Sequence, residues 1–305
     1  MDLSLTALRI LREIAERGSF SAAAAATGYT QSAVSRQAAS LETAVGRPLF
    51  ERRHDGVRLT AAGMTLLHRA ARALDELAAA ERELNGGPPM RVLVRLGAFT
   101  SAGAWLVPRV AAAVRALPEV ELVTQTGSSR SLIRALRAGS LDLAVLAMVP
   151  PFRPLDDEAP ALAAFTLLED ELLVAVPQSH PLAAGDSLTV ADLVDQPWVA
   201  GRGPGELGLG VWPGLPGRPR IVHSTPDWLA KLQLVASGAG LTTVPPLLLP
   251  VMPSGVRVLP VVDGSREQRR VVVARAPGMG RAGQGAVVAV ENVLRKAAFQ
   301  LSLAR

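Results

Sequence analysis

GSFSAAAAATGYTQSAVSRQAASLETAVGRPLFERRHDGVRLT, residues 18–60, is the stretch whose reading decides the rest of the chain. Ser19 or Ser21 can cap a first helix that is almost pure alanine from Ala22 to Ala26. Side chains that small let a second helix approach closely. Gly28 suits a helix stop with positive φ, and Thr30 is a good N-cap for a second helix over Gln31–Val45. Ala33, Val34, Ala38, Leu41 and Val45 carry the buried side of that helix. Gln31, Ser32, Ser35 and Arg36 fall on or near the other side, at its N-terminal end beside Thr30. The pattern predicts a helix-turn-helix that offers short polar groups, an amide and a guanidinium to a major groove. Two strand candidates follow, 49–51 and 57–59, joined by a turn around Asp55 and Gly56. Arg52, Arg53 and Arg58 sit on or beside that turn, placed for phosphates or a minor groove. The whole is a winged helix-turn-helix.

Upstream, residues 3–17 place Leu5, Leu8, Leu11, Ile14 and Ala15 on one face of an amphipathic helix that backs this motif. Arg9, Arg12 and Arg17 share the other face with Glu13 and Glu16 and read as solvated. Downstream, Thr60 caps a long helix over 61–84, with Leu67, Ala70, Leu74, Leu77 and Leu84 in heptad-like spacing and Glu81 interrupting the seam. Such a helix either packs on its own domain or pairs with the same helix of a second subunit. Asn85-Gly86-Gly87-Pro88-Pro89 then breaks it and makes a linker.

From Arg91 the pattern changes to strand–helix alternation. Strands at 92–98, 120–126 and 141–147 enclose helices at 101–116 and 129–138, a βαβαβ unit with a parallel sheet. Pro108 is expected to bend the first of these helices or delay its start. Residues 164–176 give strand material, and Asp156-Asp157-Glu158 lies before them in a Pro-rich loop facing water. A short helix at 190–194, a strand at 198–200, a helix at 225–237 and a strand at 240–244 follow, then strands at 256–262 and 270–274 and a helix over 284–301. LIRALRAGSLDLAVL and LAKLQLVASGAGLTTVP echo each other: helix, glycine stop, buried strand. One such unit per lobe makes a two-lobed α/β architecture.

In doubly wound sheets a ligand sits outside the C-terminal strand ends, where free N–H groups and the helix dipole favour an anion. Thr100 and Ser101 follow the first strand, Gly127, Ser128 and Ser129 the second, and Arg202, Gly203 and Pro204 the strand at 198–200. For Ser101 and Ser129 two readings stand side by side, N-capping alone or capping with ligand contact. For Arg202 the solvated-loop reading is the favoured one. Gly201 to Gly205 lacks the GK[ST] ending of a phosphate loop.

Composition bounds the possibilities. The chain has 305 residues, enough for two to three domains, and is 49% apolar, enough for a large core. Its net charge of +5 is spread along the length, and residues 30–58 hold five arginines against three acids, so charge alone would not identify a nucleic-acid binder. With 0 cysteines, disulfides, thiolate zinc sites and thiol redox sensing are excluded. His54, His68, His180 and His223 show no metal-ligand spacing, and neither a metal nor a cofactor is expected. MDLSLTALRI has no basic region before its apolar residues, and 241–251 is too short and Pro-broken to span a bilayer. A cytoplasmic protein without membrane contact is expected.

GSFSAAA, TQSAVSRQ, LE, VGRPLFER and GVRLTAAG occur in order and without a gap. This segment closely resembles the N-terminus of LysR-type transcriptional regulators, although Ala38 stands where that family usually has a bulkier residue. LVPRVAAAVRALPEVEL and LIRALRAGSLDLAVL resemble the family's effector domain. The resemblance implies an α+β multidomain chain. A winged helix-turn-helix (1–60) is followed by a linker and dimerisation helix with its hinge (61–89). A two-lobed effector domain like type 2 periplasmic-binding-protein folds completes it, with lobe 1 at 90–163 plus 268–305 and lobe 2 at 164–267. It further implies promoter DNA as partner, a small organic effector between the lobes, with anions among the candidates, and a homodimer through the 61–84 helix that assembles into a homotetramer. Thr100, Ser101, Ser128 and Ser129 match positions where family members hold effectors; Arg202 to Pro204 match loosely. The Gly- and Pro-rich segment 201–220 departs from the family, which usually has a helix there. A solute-binding protein or an enzyme built on the same lobes would leave the N-terminal motif incidental, and no nucleophile–base pair or paired-carboxylate motif stands out.

Overall fold

The computed structural model describes residues 3–53, 56–85, 91–150, 152–156, 161–201, 210–264, 268–275 and 281–303; Arg52 and Arg53 are described in their backbone only. The chain opens with three short helices, α1 (Leu5–Arg17), α2 (Phe20–Thr27) and α3 (Gln31–Val45). Ser4, Ser19 and Thr30 cap them, accepting from the backbone N–H of Ala7, Ala22 and Ala33. The tight turn between α2 and α3 is made at Gly28, with φ 72°. Ala23 and Ala24 are 0% and 4% exposed and sit among Ile10, Ile14, Val34 and Ala38. The alanines therefore work as spacers, and the isoleucines of α1 fill the gap. A fully buried isoleucine stabilises by about 1.5–3 kcal/mol. Ala38 belongs to this packing, which gives a small residue at that position a physical reason.

β1 (Phe50–Arg53) and β2 (Gly56–Leu59) pair antiparallel in a wing, Phe50 opposite Leu59 and Glu51 opposite Arg58. α4 (Ala61–Leu84) begins at the cap of Thr60, which accepts from Gly63 N–H at 3.0 Å. Its two halves differ. Leu67, Ala70 and Leu74 are buried with Leu8, Leu11 and Leu41, whereas Leu77 and Leu84 are 48% and 88% exposed. Packing on its own domain thus accounts for the first half only.

The next element group is one lobe. β3 (Val92–Ala98), α5 (Thr100–Val114), β4 (Val120–Thr126), α6 (Ser129–Arg137) and β5 (Leu143–Met148) form the expected βαβαβ unit, with β3 parallel to both β4 and β5. Pro108 does not delay α5, which starts at Thr100. Pro108 and Ala104, whose carbonyl loses its N–H partner there, are both exposed, so water can satisfy it. β6 (Ala163–Glu171) and β7 (Leu173–Pro177) divide what reads as one run of strand material. β6 joins the first sheet and β7 the second lobe, so the chain crosses at Leu172 and not at the expected 163/164 boundary.

The second lobe holds α7 (Val190–Leu193), β8 (Pro197–Ala200), β9 (Arg220–Ser224), α8 (Trp228–Ala236), β10 (Thr242–Val244) and β11 (Val256–Leu259), with a 3-10 turn at Pro181–Ala184 and a longer 3-10 segment at Pro246–Val251 that sends Leu247 into the core of the first lobe. Its strands order as β10-β7-β11, with β8 and β9 paired beside them. β9 is absent from the sequence expectation. β12 (Gln268–Arg275) and α9 (Arg281–Leu303) return to the first lobe, whose sheet runs β4-β3-β5-β12-β6. α9 lays Val287, Val290 and Leu294 into the same core as Val94, Leu96 and Leu106.

The head is docked on the first lobe. Ala138, just past α6, is buried in the head's own core. Ser140 donates to Glu16 at 3.0 Å. Arg12 of α1, Asp75 of α4, Arg95 of β3 and Asp142 before β5 form a chain of ion pairs, 3.7, 2.6 and 3.9 Å apart in turn. Burial raises the Asp142 carboxyl above the ordinary aspartate range, opposed by the Arg95 N–H and guanidinium. Asp156 does not face water: it pairs bidentately with buried Arg137 of α6, at 2.9 and 2.7 Å.

Candidate functional site

The N-terminal tip of α3 gathers five of the candidate residues. Thr30 caps the helix and its Oγ1 lies 3.0 Å from Ser32 Oγ. Gln31 donates its amide to Ser35 Oγ at 3.2 Å, one helical turn on. Arg36 is exposed and, among the described residues, makes no hydrogen bond or ion pair. Val34, fully buried between them, pins the tip to the alanine-packed helices behind. The result is a packed helix end carrying an amide, three hydroxyls and a guanidinium without a partner among the described residues. Such groups match base edges and phosphates in a major groove.

The wing is positioned by residues the motif reading missed. The Glu42 carboxylate accepts from Leu49 N–H at 2.7 Å and Phe50 N–H at 3.1 Å, tying α3 to the start of β1. Gly63 of α4 lies so close to the Leu49 carbonyl that no Cβ fits there without movement. Neither feature is visible as a local pattern, since each depends on two segments meeting. Arg58 of β2 is half-buried and lines the seam with the first lobe. The side chains of Arg52 and Arg53 lie outside the described residues. Glu42→Ala is expected to cost the head about 1–3 kcal/mol by leaving two N–H groups without their charged acceptor. Faster amide exchange at Leu49 and Phe50 is the readout, and Glu42→Gln should retain most of the protection.

The candidate effector loops of the first lobe come together. A Cβ built on Gly103 of α5 would stand 2.6 Å from Thr126 Cγ2, so the start of α5 and the end of β4 touch. Gly127 N–H donates to Ala98 O at 3.1 Å, joining the loops after β3 and β4. Thr100 is exposed at this rim and Ser101 is buried in the first turn of α5. Ser101 is not a cap: the cap position is Phe99, which has no capping side chain. At α6 the cap is Ser128, bonded to Ser131 N–H at 3.2 Å, and half-buried Ser129 is the first helical residue. On the second lobe, Thr225 N–H donates to Ala200 O and Ser224 Oγ to Gly201 O, fixing the end of β8. Arg202, Gly203 and Pro204 lie outside the described residues.

Among the described residues no cluster of His, Asp or Glu could hold a metal ion, and no helix is long and apolar enough to cross a membrane. His180 accepts from Leu182 N–H at a 3-10 turn and His223 is exposed on β9.

Known proteins share this arrangement. Residues 5–64 match the model for bacterial regulatory helix-turn-helix proteins of the lysR family, and residues 90–291 match the LysR substrate binding domain. The chain is 35% identical to the transcriptional regulator GbpR of Rhizobium radiobacter, over 75% of this chain and 77% of that one. It is 28% identical to a probable hydrogen peroxide-inducible genes activator of Mycobacterium avium, over 91% of this chain and 89% of the relative. Among solved structures, full-length CbnR complexed with its target DNA is similar at 20% identity and TM-score 0.56, covering 96% of this chain and 99% of that one.

Proposed function

The chain belongs to the LysR family of transcriptional regulators, and from that premise we propose how its parts divide the work. It carries a helix-turn-helix DNA-binding domain and an effector-binding domain on one chain, and it is not an enzyme. In our reading Thr30, Gln31, Ser32, Ser35 and Arg36 enter the major groove of promoter DNA, with Arg52, Arg53 and Arg58 of the wing gripping the backbone. Residues 1–60 form the head and 61–89 the connector, and the remaining chain forms two lobes that hold a small organic effector at Thr100, Ser101, Ser128 and Ser129. The exposed half of α4 pairs subunits, and the regulator acts in the cytoplasm. The solved complex of CbnR with DNA supports the placement of the head by fold. The relative named a probable hydrogen peroxide-inducible genes activator lends this chain no thiol-based role, because the chain has 0 cysteines.

The observation that carries the reading is the exposed guanidinium of Arg36, without a partner among the described residues, on a helix tip held by packing. Arg36→Ala is expected to weaken binding to the regulated promoter by about 1–3 kcal/mol, measured by mobility-shift titration at fixed salt. A contact to phosphate would weaken all duplexes alike and lower the salt slope by about one. A contact to guanine would weaken the promoter only. Wild-type protein that fails to prefer its promoter over random duplex would overturn the function itself.

A further inference from the structure

A cavity of about 420 Å³ lies in the seam between the head and the first lobe; of the candidate effector residues only Ser129 borders it, and Thr100, Ser101 and Ser128 do not. Its lining is mixed: Val57 and Met64 from the head and Ile133 and Leu155 from the lobe supply apolar surface, while Arg58, Arg137 and Asp156 border it as well. Its rim is cationic. Arg130 and Arg134 stand one turn apart on α6 and both line the space. Among the described residues neither makes a hydrogen bond or ion pair, while Arg137 beside them is neutralised by Asp156. Two like charges at this spacing on a helix repel, and nothing described compensates them. The Arg134 guanidinium is also pressed against the head, since a Cβ on Gly18 would meet its Nη1 at 2.9 Å.

A volume in the range of small-molecule pockets, four apolar side chains and two solvent-open guanidinium groups without a counter-charge among the described residues together point to one ligand class. We propose that this seam is a second small-molecule site, taking an amphipathic monoanion: a compact apolar body on Ile133 and Met64 and a carboxylate on Arg130 and Arg134. Because head and lobe each contribute a wall, occupancy favours the docked arrangement of the two over any separated one.

The site is tested on the full chain with three probes sharing one apolar body: 4-phenylbutyrate, 4-phenylbutan-1-ol and 4-phenylbutylamine, titrated calorimetrically. The carboxylate is expected to bind saturably, the alcohol roughly tenfold or more weakly, and the amine not at all. Arg130→Glu with Arg134→Glu should abolish binding of the carboxylate. Ile133→Trp from the lobe side and Met64→Trp from the head side should each do so by filling the space with both charges kept. Arg130→Gln with Arg134→Gln serves where the charge reversal disturbs folding, and should also weaken the carboxylate roughly tenfold. Equal binding of acid and alcohol, no binding of the acid, or binding that survives the charge changes or either tryptophan overturns the proposal. None of these readouts involves DNA, so their failure leaves the regulatory reading of the head untouched.

Discussion

Leu77→Asp combined with Leu84→Asp is expected to turn the oligomer into a monomer and to lower promoter affinity on the order of 100-fold, as one of two half-sites is lost. The two leucines are one heptad apart on α4, beyond the point where the helix leaves its own domain's core. Leu67 and Leu74 are spent inside that core at 0% and 6% exposure, so they cannot serve a partner. Leu77 and Leu84 can, being 48% and 88% exposed. Burying a leucine is worth about 1.5–3 kcal/mol, and a two-fold interface counts each residue twice. Half of that gross gain corresponds to a change in dimer affinity of about 100-fold to 10,000-fold. Sedimentation and mobility shift read the two effects. Both leucines face water in the single chain, so the melting of an isolated subunit should hardly move. A variant that keeps wild-type assembly and promoter affinity would show that the subunits pair elsewhere.

The parts of the fold that could be read ahead of the structure are those decided within a few residues. Ser19 and Thr30 cap their helices through contacts three residues away, and the βαβαβ unit announces itself by a change of period. β9 could not be read, because RIVHS is exposed at every position and shows no alternation toward a core; only its parallel pairing with β8 makes it a strand. The break at Leu172 is equally silent, since both sides carry good strand formers and only the sheets they join distinguish them. At the candidate sites the same division holds. The polar tip of α3 follows from helical spacing alone. Glu42, Gly63 and the pairing of Arg137 with Asp156 depend on segments that meet only in the folded chain. The arginine-rimmed seam is the extreme case, as it takes a wall from each of two domains.

Asp170→Ala should strongly destabilise the effector domain. Asp170 lies at the end of β6, where the chain leaves the first lobe, and Arg269 lies at the start of β12, where it returns. The two stand opposite each other in the sheet and pair bidentately, with bonds of 3.1 and 2.9 Å. Their side chains are 0% and 10% exposed. The guanidinium also lies 5.4 Å from the ring of Phe99, the residue that precedes α5 and the Thr100 rim. Removing the carboxylate leaves a buried cation without its counter-charge, at a cost of about 3–5 kcal/mol. For a domain of this size that lowers the melting temperature by roughly 6–20 °C. Asp170→Asn keeps an acceptor but loses the charge, and should fall between the two. The control is Asp170→Leu with Arg269→Met, which removes both charges and should recover most of the loss, because replacing both members of a buried pair by apolar groups is often neutral. If Asp170→Ala melted with the wild type, the pair would contribute nothing. If the double change were worse than the single one, its worth would lie in holding the two crossing strands together, and effector response would be lost with it.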